Sequence, residues 1–350
     1  MNQLIREGMK HNKPEGTKLI CLTPVVNEAF ELERFLECTA LWADHIIVGY
    51  QTSIDNTLEI LNRHKKVTVV ISPNKDWNEL VMRSLLYEEA RKIKAEKRII
   101  FNLDADEILS ANYMSSPEWN SILDLPKGSI FRIQWSNLQP DMAHYVDSNM
   151  IEVGFVDDGR STVAGSIMHM GRVPWPNYDI TILKCSEIRL LHYAFVNFER
   201  NESKKTWYQA YEKVGKGEFG PHIFRKYNRH GNPPLLQPIH SSWMAAYQEL
   251  NIDVTSVVYG YDYSHDYRLL DYLDQMGTDY FKMCNIWQRD WVQFATGKKP
   301  NPERFADPRN KFEKAIFRYI YWSIRTKRNP FTNILISAAD RALKILGYSS

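Results

Sequence analysis

An apolar run over Leu19–Val26 stops at the polar pair Asn27-Glu28, the pattern of a short buried strand that ends in a loop. From Ala29 to Trp42 the residues Phe30, Phe35, Leu36, Ala40 and Leu41 recur roughly on one face, which predicts a helix. His45–Gly49 reads as a second strand and Asn56–His64 as its helix. The β-branched run Val67–Ile71 predicts a third strand, stopped by Ser72-Pro73. A long helix over Asn78–Lys97 and a fourth strand over Arg98–Leu103 complete the series. Strands and helices alternating at this spacing imply parallel pairing through right-handed crossovers, an α/β layer fold.

Beyond Ser129 the pattern changes. Ser129–Trp135 and Ile151–Val156 read as strands on either side of a polar loop around Asp141–Ser148, and Ile180–Tyr193 holds one or two more. Glu199–Lys216 is helical. After Pro221 the chain reads as irregular and aromatic, with turn signals at Asn232-Pro233-Pro234 and Gln237-Pro238, before helices resume through Arg268–Thr296. The expected division is serial: an α/β domain over 15–240, a helical aromatic-rich extension over 241–309, and a tail over 310–350.

Composition narrows the class. Of 350 residues 44% are apolar and 25% charged, ordinary for a globular chain and unlike a disordered one. The net charge of +2 argues against a general nucleic-acid binder. Aromatic residues reach 13%, which suits a sugar or nucleotide site but fills cores as well. Cys21, Cys38, Cys185 and Cys284 lie far apart, without metal-ligand or redox spacing, and read as buried thiols of a reducing cytoplasm. Met1–Lys18 is charged throughout, so a signal peptide is not expected, and no apolar run approaches the ~20 residues that cross a bilayer. The expectation is an intracellular protein, soluble or held at a surface.

The tail changes that picture. Lys311–Ser350 carries eight basic residues against two acidic ones, a net of +6, so the remainder sums to 2 − 6 = −4. Lys311, Lys314, Arg318 and Arg325 recur at helical spacing among Phe312, Ile316, Tyr319, Ile320 and Trp322. Asn329-Pro330 breaks this helix, and a second runs over Asn333–Leu346. Such a segment, Lys311–Leu346, can rest on the anionic inner face of a membrane. A helix packed on the domain with its basic stripe in water accounts for the same residues.

Candidate chemistry starts at Asn102-Leu103-Asp104-Ala105-Asp106-Glu107, where an apolar strand runs directly into carboxylates at i and i+2. In extended chain those side chains share a face, and the carboxyl ends of parallel strands form the ligand crevice of an α/β sheet. Converging aspartates call for a cation between them, and Mg²⁺ or Mn²⁺ takes such ligands together with substrate phosphates. A solvated acidic loop is the plainer alternative.

Read with its neighbours, this stretch resembles the family-2 glycosyltransferases of the GT-A fold. Thr23-Pro24-Val25-Val26-Asn27-Glu28 is similar to the end of that family's first strand, and Thr52-Ser53-Ile54-Asp55-Asn56-Thr57 to its acidic Ser-x-Asp-x-Thr loop. Arg83 stands at the family's helix arginine, and Asp104/Asp106 supply its Asp-x-Asp. The resemblance covers residues 18 to about 215. It implies a Rossmann-like GT-A mixed central sheet flanked by helices, with a helical C-terminal extension. It also implies a nucleoside diphosphate sugar over the first two strand ends, in contact with Pro24, Asn27, Glu28, Gln51, Asp55 and Arg83, and a Mn²⁺ or Mg²⁺ at Asp104 and Asp106. One departure matters: the base-binding Asp usual after the second strand is replaced by Gly49-Tyr50-Gln51, where Gln51 or Tyr50 could contact or stack on a base.

The second half adds three features under the same resemblance. Phe155-Val156-Asp157-Asp158-Gly159-Arg160, with Ser166–Arg172 after it, resembles the acceptor-side segment, which implies Asp158, or else Asp157, as the general base. The plainer alternative for these residues is a β-turn with Gly159 at its left-handed position. His192, at the end of Leu190-Leu191-His192-Tyr193, is implied as a third metal ligand, and Arg200 or Lys204 as a partner of the diphosphate. The expected reaction is a single inverting displacement onto a saccharide or lipid-linked acceptor in cell-surface glycan assembly. The alternative is a catalytically inactive relative that binds nucleotide or glycan. A nucleotidyltransferase is disfavoured because residues 23–30 contain no Gly, Lys or Arg, and a phosphohydrolase because its Asp-x-Asp would follow the first strand.

Overall fold

Nine consecutive buried or nearly buried positions can form a strand only if both faces are covered, and β1 (Thr17–Val25) satisfies that condition. The computed structural model describes residues 13–73, 78–165, 171–228, 235–258 and 263–350. After β1 come α1 (Ala29–Ala40), β2 (His45–Tyr50), α2 (Thr57–Arg63), β3 (Val67–Ile71), α3 (Glu79–Lys92) and β4 (Lys97–Asn102). These follow the alternation expected from the apolar pattern. Helix α3 stops five residues early, because the backbone at Ile93 turns extended. There follow β5 (Glu107–Leu109), α4 (Pro117–Asp124), β6 (Ile130–Leu138), β7 (His144–Val156) and β8 (Ile182–His192). The remainder is α5 (Phe198–Lys216), α6 (Pro221–Asn228), β9 (Gln237–Pro238), α7 (Ala245–Glu249), α8 (Ser264–Met276), α9 (Trp291–Ala295), α10 (Lys311–Arg325) and α11 (Pro330–Ile345).

Among the described residues the strands form one mixed sheet in the order β3-β2-β1-β4-β7-β6-β8-β5, with β9 added to β7. β1 pairs parallel with β2 and β4, and β2 with β3. β7 then runs antiparallel between β4 and β6. Alternate side chains of β1 enter different cores: Leu19, Cys21 and Val25 join Phe35, Leu36, Phe101 and Trp119, whereas Ile20 and Leu22 join Met82, Leu86 and Phe155. Helices thus cover both faces of the sheet. All four cysteines are free and buried.

Three expectations are corrected. Residues 144–148, expected as loop, are strand, since His144 and Tyr145 pair with both β9 and β6 or its turn. Pro221 starts a helix instead of ending order, because a first-turn proline forfeits no hydrogen bond. Gln237-Pro238 is edge strand, a position that tolerates proline. Asn232–Pro234 and the first twelve residues lie outside the described residues.

The division of the chain is not serial either. One unit comprises Met1–Asn197 with Leu236–Tyr261, and the other Phe198–Leu235 with Asp262–Ser350. The chain returns to the first unit because β9 pairs with β7 and because Trp243, Tyr247, Leu250 and Val254 fill its core. No break occurs at 310: Ile316, Phe317 and Ile320 of α10 pack with Phe224 and Met283 in the second unit. That unit is helical, with a second core around Trp207, Leu269, Leu270, Phe281 and Trp291.

Candidate functional site

At the carboxyl ends of β1 and β2 two loops are tied into one. Asn27 adopts a left-handed backbone, φ 56°, a conformation asparagine tolerates. Its N–H donates to Ser53 Oγ at 2.9 Å, and its Oδ1 accepts from the Ile54 N–H at 2.7 Å. Glu28 N–H donates to Thr57 Oγ1 at 3.0 Å. Asp55 accepts from the Ala29 N–H at 3.1 Å and from the Thr57 N–H and hydroxyl at 3.1 and 2.6 Å. The side chain of Asn27 therefore ties the two loops into one rim, and that of Asp55 accepts from the first residue of α1. Pro24 is buried within β1 opposite Gly49, and Gln51 is buried just past β2 with its N–H on the Val25 carbonyl at 3.0 Å. Tyr50 is not a stacking platform: its ring lies in the core and its hydroxyl accepts from the Ser53 N–H at 3.0 Å.

The end of β4 carries the charged part. The Arg83 side chain, 2% exposed on α3, donates to Glu79 at 2.9 Å and reaches Asp104 Oδ1 at 3.5 Å. Arg172 donates to Asp104 Oδ2 at 2.7 Å and to both oxygens of Glu107 at 2.6 and 2.9 Å. Burial works against the Arg172 charge, yet Asp104 and Glu107 outweigh it and hold its pKa above the ordinary value. Burial pushes the Glu107 carboxyl up, against the pull of Arg172. Its turn is closed by the Asp104 N–H, which donates to Glu107 Oε2 at 2.9 Å. Among the described residues, Arg83 Nη1 and Asn102 Oδ1 are buried with no hydrogen-bond partner. Buried polar atoms in that condition mark a place for water or ligand.

β8 ends at the same place. β5 pairs antiparallel with β8, so Glu107 stands opposite His192. His192 Nδ1 lies 2.6 Å from Asn137 Oδ1, and the ring packs against Trp135 with centroids 4.4 Å apart. The other ring nitrogen, Nε2, stands 3.7 Å from Asp106 Oδ2. Asp106, Glu107 and His192 are all buried and bring one ligand atom each within 4.8 Å of one another, a cluster that could hold a metal ion. Carboxylate oxygens with an imidazole nitrogen are a ligand set that a divalent cation such as Mn²⁺ accepts. The expected set had Asp104 where the structure has Glu107. Asp104 is instead turned to two guanidinium groups, and Arg172 holds both Asp104 and Glu107.

Sequence reading missed Glu107 and Arg172 as site residues. The signal for Glu107 was its place three residues after Asp104, the spacing of a turn. Nothing local marks Arg172, which follows the undescribed Ser166–Met170 part of the expected acceptor segment.

Asp157 and Asp158 stand elsewhere. Because β7 opposes β4 with Val156 across from Ile99, both follow the strand at the amino edge of β4, and the Asp157 N–H donates to the Arg98 carbonyl at 2.9 Å. Six residues of strand, about 20 Å, separate Arg98 from Asp104. Asp157 is clasped by Arg91 and Arg98 at 2.9 Å each, its side chain fully buried. Asp158 accepts from the Ser161 hydroxyl and N–H at 2.6 and 2.8 Å, from Arg160 N–H at 3.0 Å and from Tyr178 at 2.7 Å. Burial raises its pKa, but those donors win and hold it well below the usual carboxylate range. Neither is placed or poised to act as base beside Asp106. Lys204 belongs to the second unit, on α5, where burial together with Arg200, Lys204 and Arg268 pushes His265 well below its ordinary pKa.

No protein-family model matches the chain, and no curated protein matches it. Among solved structures it is similar to HddC from Yersinia pseudotuberculosis, at 9% identity and TM-score 0.28 over 49% of this chain and 92% of that one. It is similar also to HddC complexed with GMP-PN, at 11% identity and TM-score 0.29 over 50% and 93% of the two chains. A mycobacterial protein follows at 13% identity and TM-score 0.25, over 39% and 45%. Likeness at that level leaves function to the site itself.

Proposed function

We propose that the first unit is a GT-A glycosyltransferase domain that takes its sugar from a nucleoside diphosphate sugar and transfers it to a saccharide or lipid-linked acceptor. The observation that carries this reading is the meeting of Asp104, Asp106, Glu107, His192, Arg83 and Arg172 at the carboxyl end of β4, beside the Asn27–Asp55 rim. Sheets of this kind bind ligands at that edge.

In this reading Asp106, Glu107 and His192 would hold Mn²⁺ or Mg²⁺, which supplies positive charge for the diphosphate as it leaves. Arg83 presents a buried donor, Nη1, that a phosphate oxygen would satisfy. Arg172 adds a second guanidinium, and charge of that sign beside a leaving diphosphate lowers the barrier to its departure. Asn137, 2.6 Å from Nδ1, holds the His192 ring in orientation.

A second reading, a donor-binding relative without catalysis, is favoured by one observation: Asp157 and Asp158 serve the opposite edge of the sheet. The two readings part in a thermal-shift panel of UDP, GDP, dTDP and CMP with and without Mn²⁺, followed by an assay for sugar release from the matching donor. A ligand at ~100 times its dissociation constant adds about 2.7 kcal/mol. The expected outcome is one nucleotide that stabilises only with metal, and slow hydrolysis of its sugar conjugate. Stabilisation without hydrolysis selects the binding relative, and no stabilisation by any nucleotide overturns both.

A further inference from the structure

The helix that ends the chain is apolar on the wrong side for a helix that merely packs. α11 uses Ile336 and Leu343 to seat itself in the second unit, where Leu343 joins Phe224, Met283 and Ile320. Its opposite face carries Phe331, Ile334, Leu335 and Ile345, exposed by 69, 68, 46 and 86%. At 100° per residue those four, with Ala338 and Ala342, fall within an arc of about 120°, wide enough for a complete second apolar stripe. The stripe runs the length of sixteen residues, about 24 Å. Isolated exposed leucines need no explanation, but a continuous outward stripe on one helix marks a surface that something covers.

Charge says what covers it. Eight basic and two acidic residues lie between Lys311 and Ser350. Both acids are used inside the unit: Glu313 pairs with Lys282 at 2.8 Å, and Asp340 takes Arg225 and accepts from Tyr319. The basic residues stay outside. Arg318, Arg325, Lys327, Arg328, Arg341 and Lys344 form no ion pair among the described residues. A second copy of the chain docked on the same stripe would bring these like charges together with no acid to answer them, which works against self-association. An anionic bilayer answers both features at once, taking the apolar stripe into its acyl boundary and the flanking cations among its headgroups.

We propose that α11 is a membrane-docking helix that lies flat on an anionic lipid surface with Phe331, Ile334, Leu335 and Ile345 inserted. The sequence pattern offered the whole of Lys311–Leu346 for such a contact; within it α10 turns Ile316, Phe317 and Ile320 into the second unit's core, which leaves the outward stripe of α11 for the bilayer. The inference stands apart from the donor site, since it needs neither nucleotide nor catalysis.

The test is co-sedimentation of the full chain with phosphatidylcholine vesicles, with and without phosphatidylglycerol, at low and high salt. Binding to the anionic vesicles is expected, weakening as salt rises and at least about tenfold weaker on phosphatidylcholine alone. Phe331→Ser with Ile334→Ser, both at exposed positions, should reduce anionic-vesicle binding at least about tenfold with the circular-dichroism melt unchanged. Arg341→Glu with Lys344→Glu should cost a similar factor at low salt and little at high salt. A folded chain that ignores anionic vesicles overturns the proposal. So does binding that survives the Phe331/Ile334 change, or a concentration-dependent dimer on gel filtration that the same change abolishes, which would make the occupant a second copy.

Discussion

Asp104 and Asp106 close β4; Asp157 and Asp158 close β7. In sequence the two pairs are alike, each a short acidic step after a buried strand. In the fold they sit at opposite ends of β4, and only the Asp104/Asp106 end joins a cluster that could hold a metal ion. At the β7 end, both Asp157 oxygens receive arginine donors, and Asp158 accepts four hydrogen bonds from its own turn and from Tyr178. At the β4 end, Asp106 Oδ2 lies 3.7 Å from His192 Nε2, and buried polar atoms of Arg83 and Asn102 lack partners among the described residues. Asp157, filled by arginine donors, is a strut, whereas the Asp106, Glu107 and His192 cluster could hold a metal ion, and that difference identifies the candidate site.

The largest effect that tests this contrast is at the saturated edge. Asp157→Asn leaves Arg91 and Arg98 without their shared buried partner and should cost about 3 kcal/mol in urea unfolding. A cost below about 1 kcal/mol would mean that Asp157 is not a strut, and the comparison would lose one side. Next is the double change Asp104→Asn and Asp106→Asn. It should abolish the nucleotide-dependent stabilisation, about 2.7 kcal/mol at ~100 times the dissociation constant, read as the difference between the variant's own melts with and without nucleotide. Retained nucleotide binding in that variant moves the site away from β4. The smallest effect sharpens the comparison through pH. The folded-state pKa of Asp158 is depressed, so its contribution is full above the unfolded value of about 3.9 and fades as pH falls towards the folded one. Asp158→Asn should therefore cost about 1–2 kcal/mol at neutral pH, with the gap closing in acid. A gap that stays constant between neutral pH and about pH 2 would contradict the saturated-turn account.

Much of the candidate site's edge was legible because its signals are local. Asn27-Glu28 and Ser53-x-Asp55-x-Thr57 each sit a few residues past a strand, and the hydrogen bonds that join them need only β1 and β2 side by side. Arg83 lies on the face of α3 turned towards β4, so its approach to Asp104 follows from the crossover. Glu107 and His192 meet because β5 pairs antiparallel with β8, a contact across 85 residues that neither stretch announces. Asp157 and Asp158 were misplaced for the same reason. Their edge depends on whether β7 runs with β4 or against it.

The two units repeat the lesson on a larger scale. Helical periodicity over 311–346 announced two helices, and two helices form. Which face of each meets the core was decided by the partners available. α10 found Phe224 and Met283 for its apolar side, whereas α11 carries two apolar stripes and could bury only one of them.

The chain's own pattern determined element types and order, the parallel first half of the sheet, and the loops that follow β1, β2 and β4, because periodicity and turn chemistry act between near neighbours. Only the tertiary structure decided strand direction in the second half, the return of residues 236–261 to the first unit, the exchange of Asp104 for Glu107 in the metal-capable cluster, and the outward face of α11. A strand has the same period of two in either direction, and a helix with two apolar stripes has no intrinsic inside. Burial against distant partners breaks those ties.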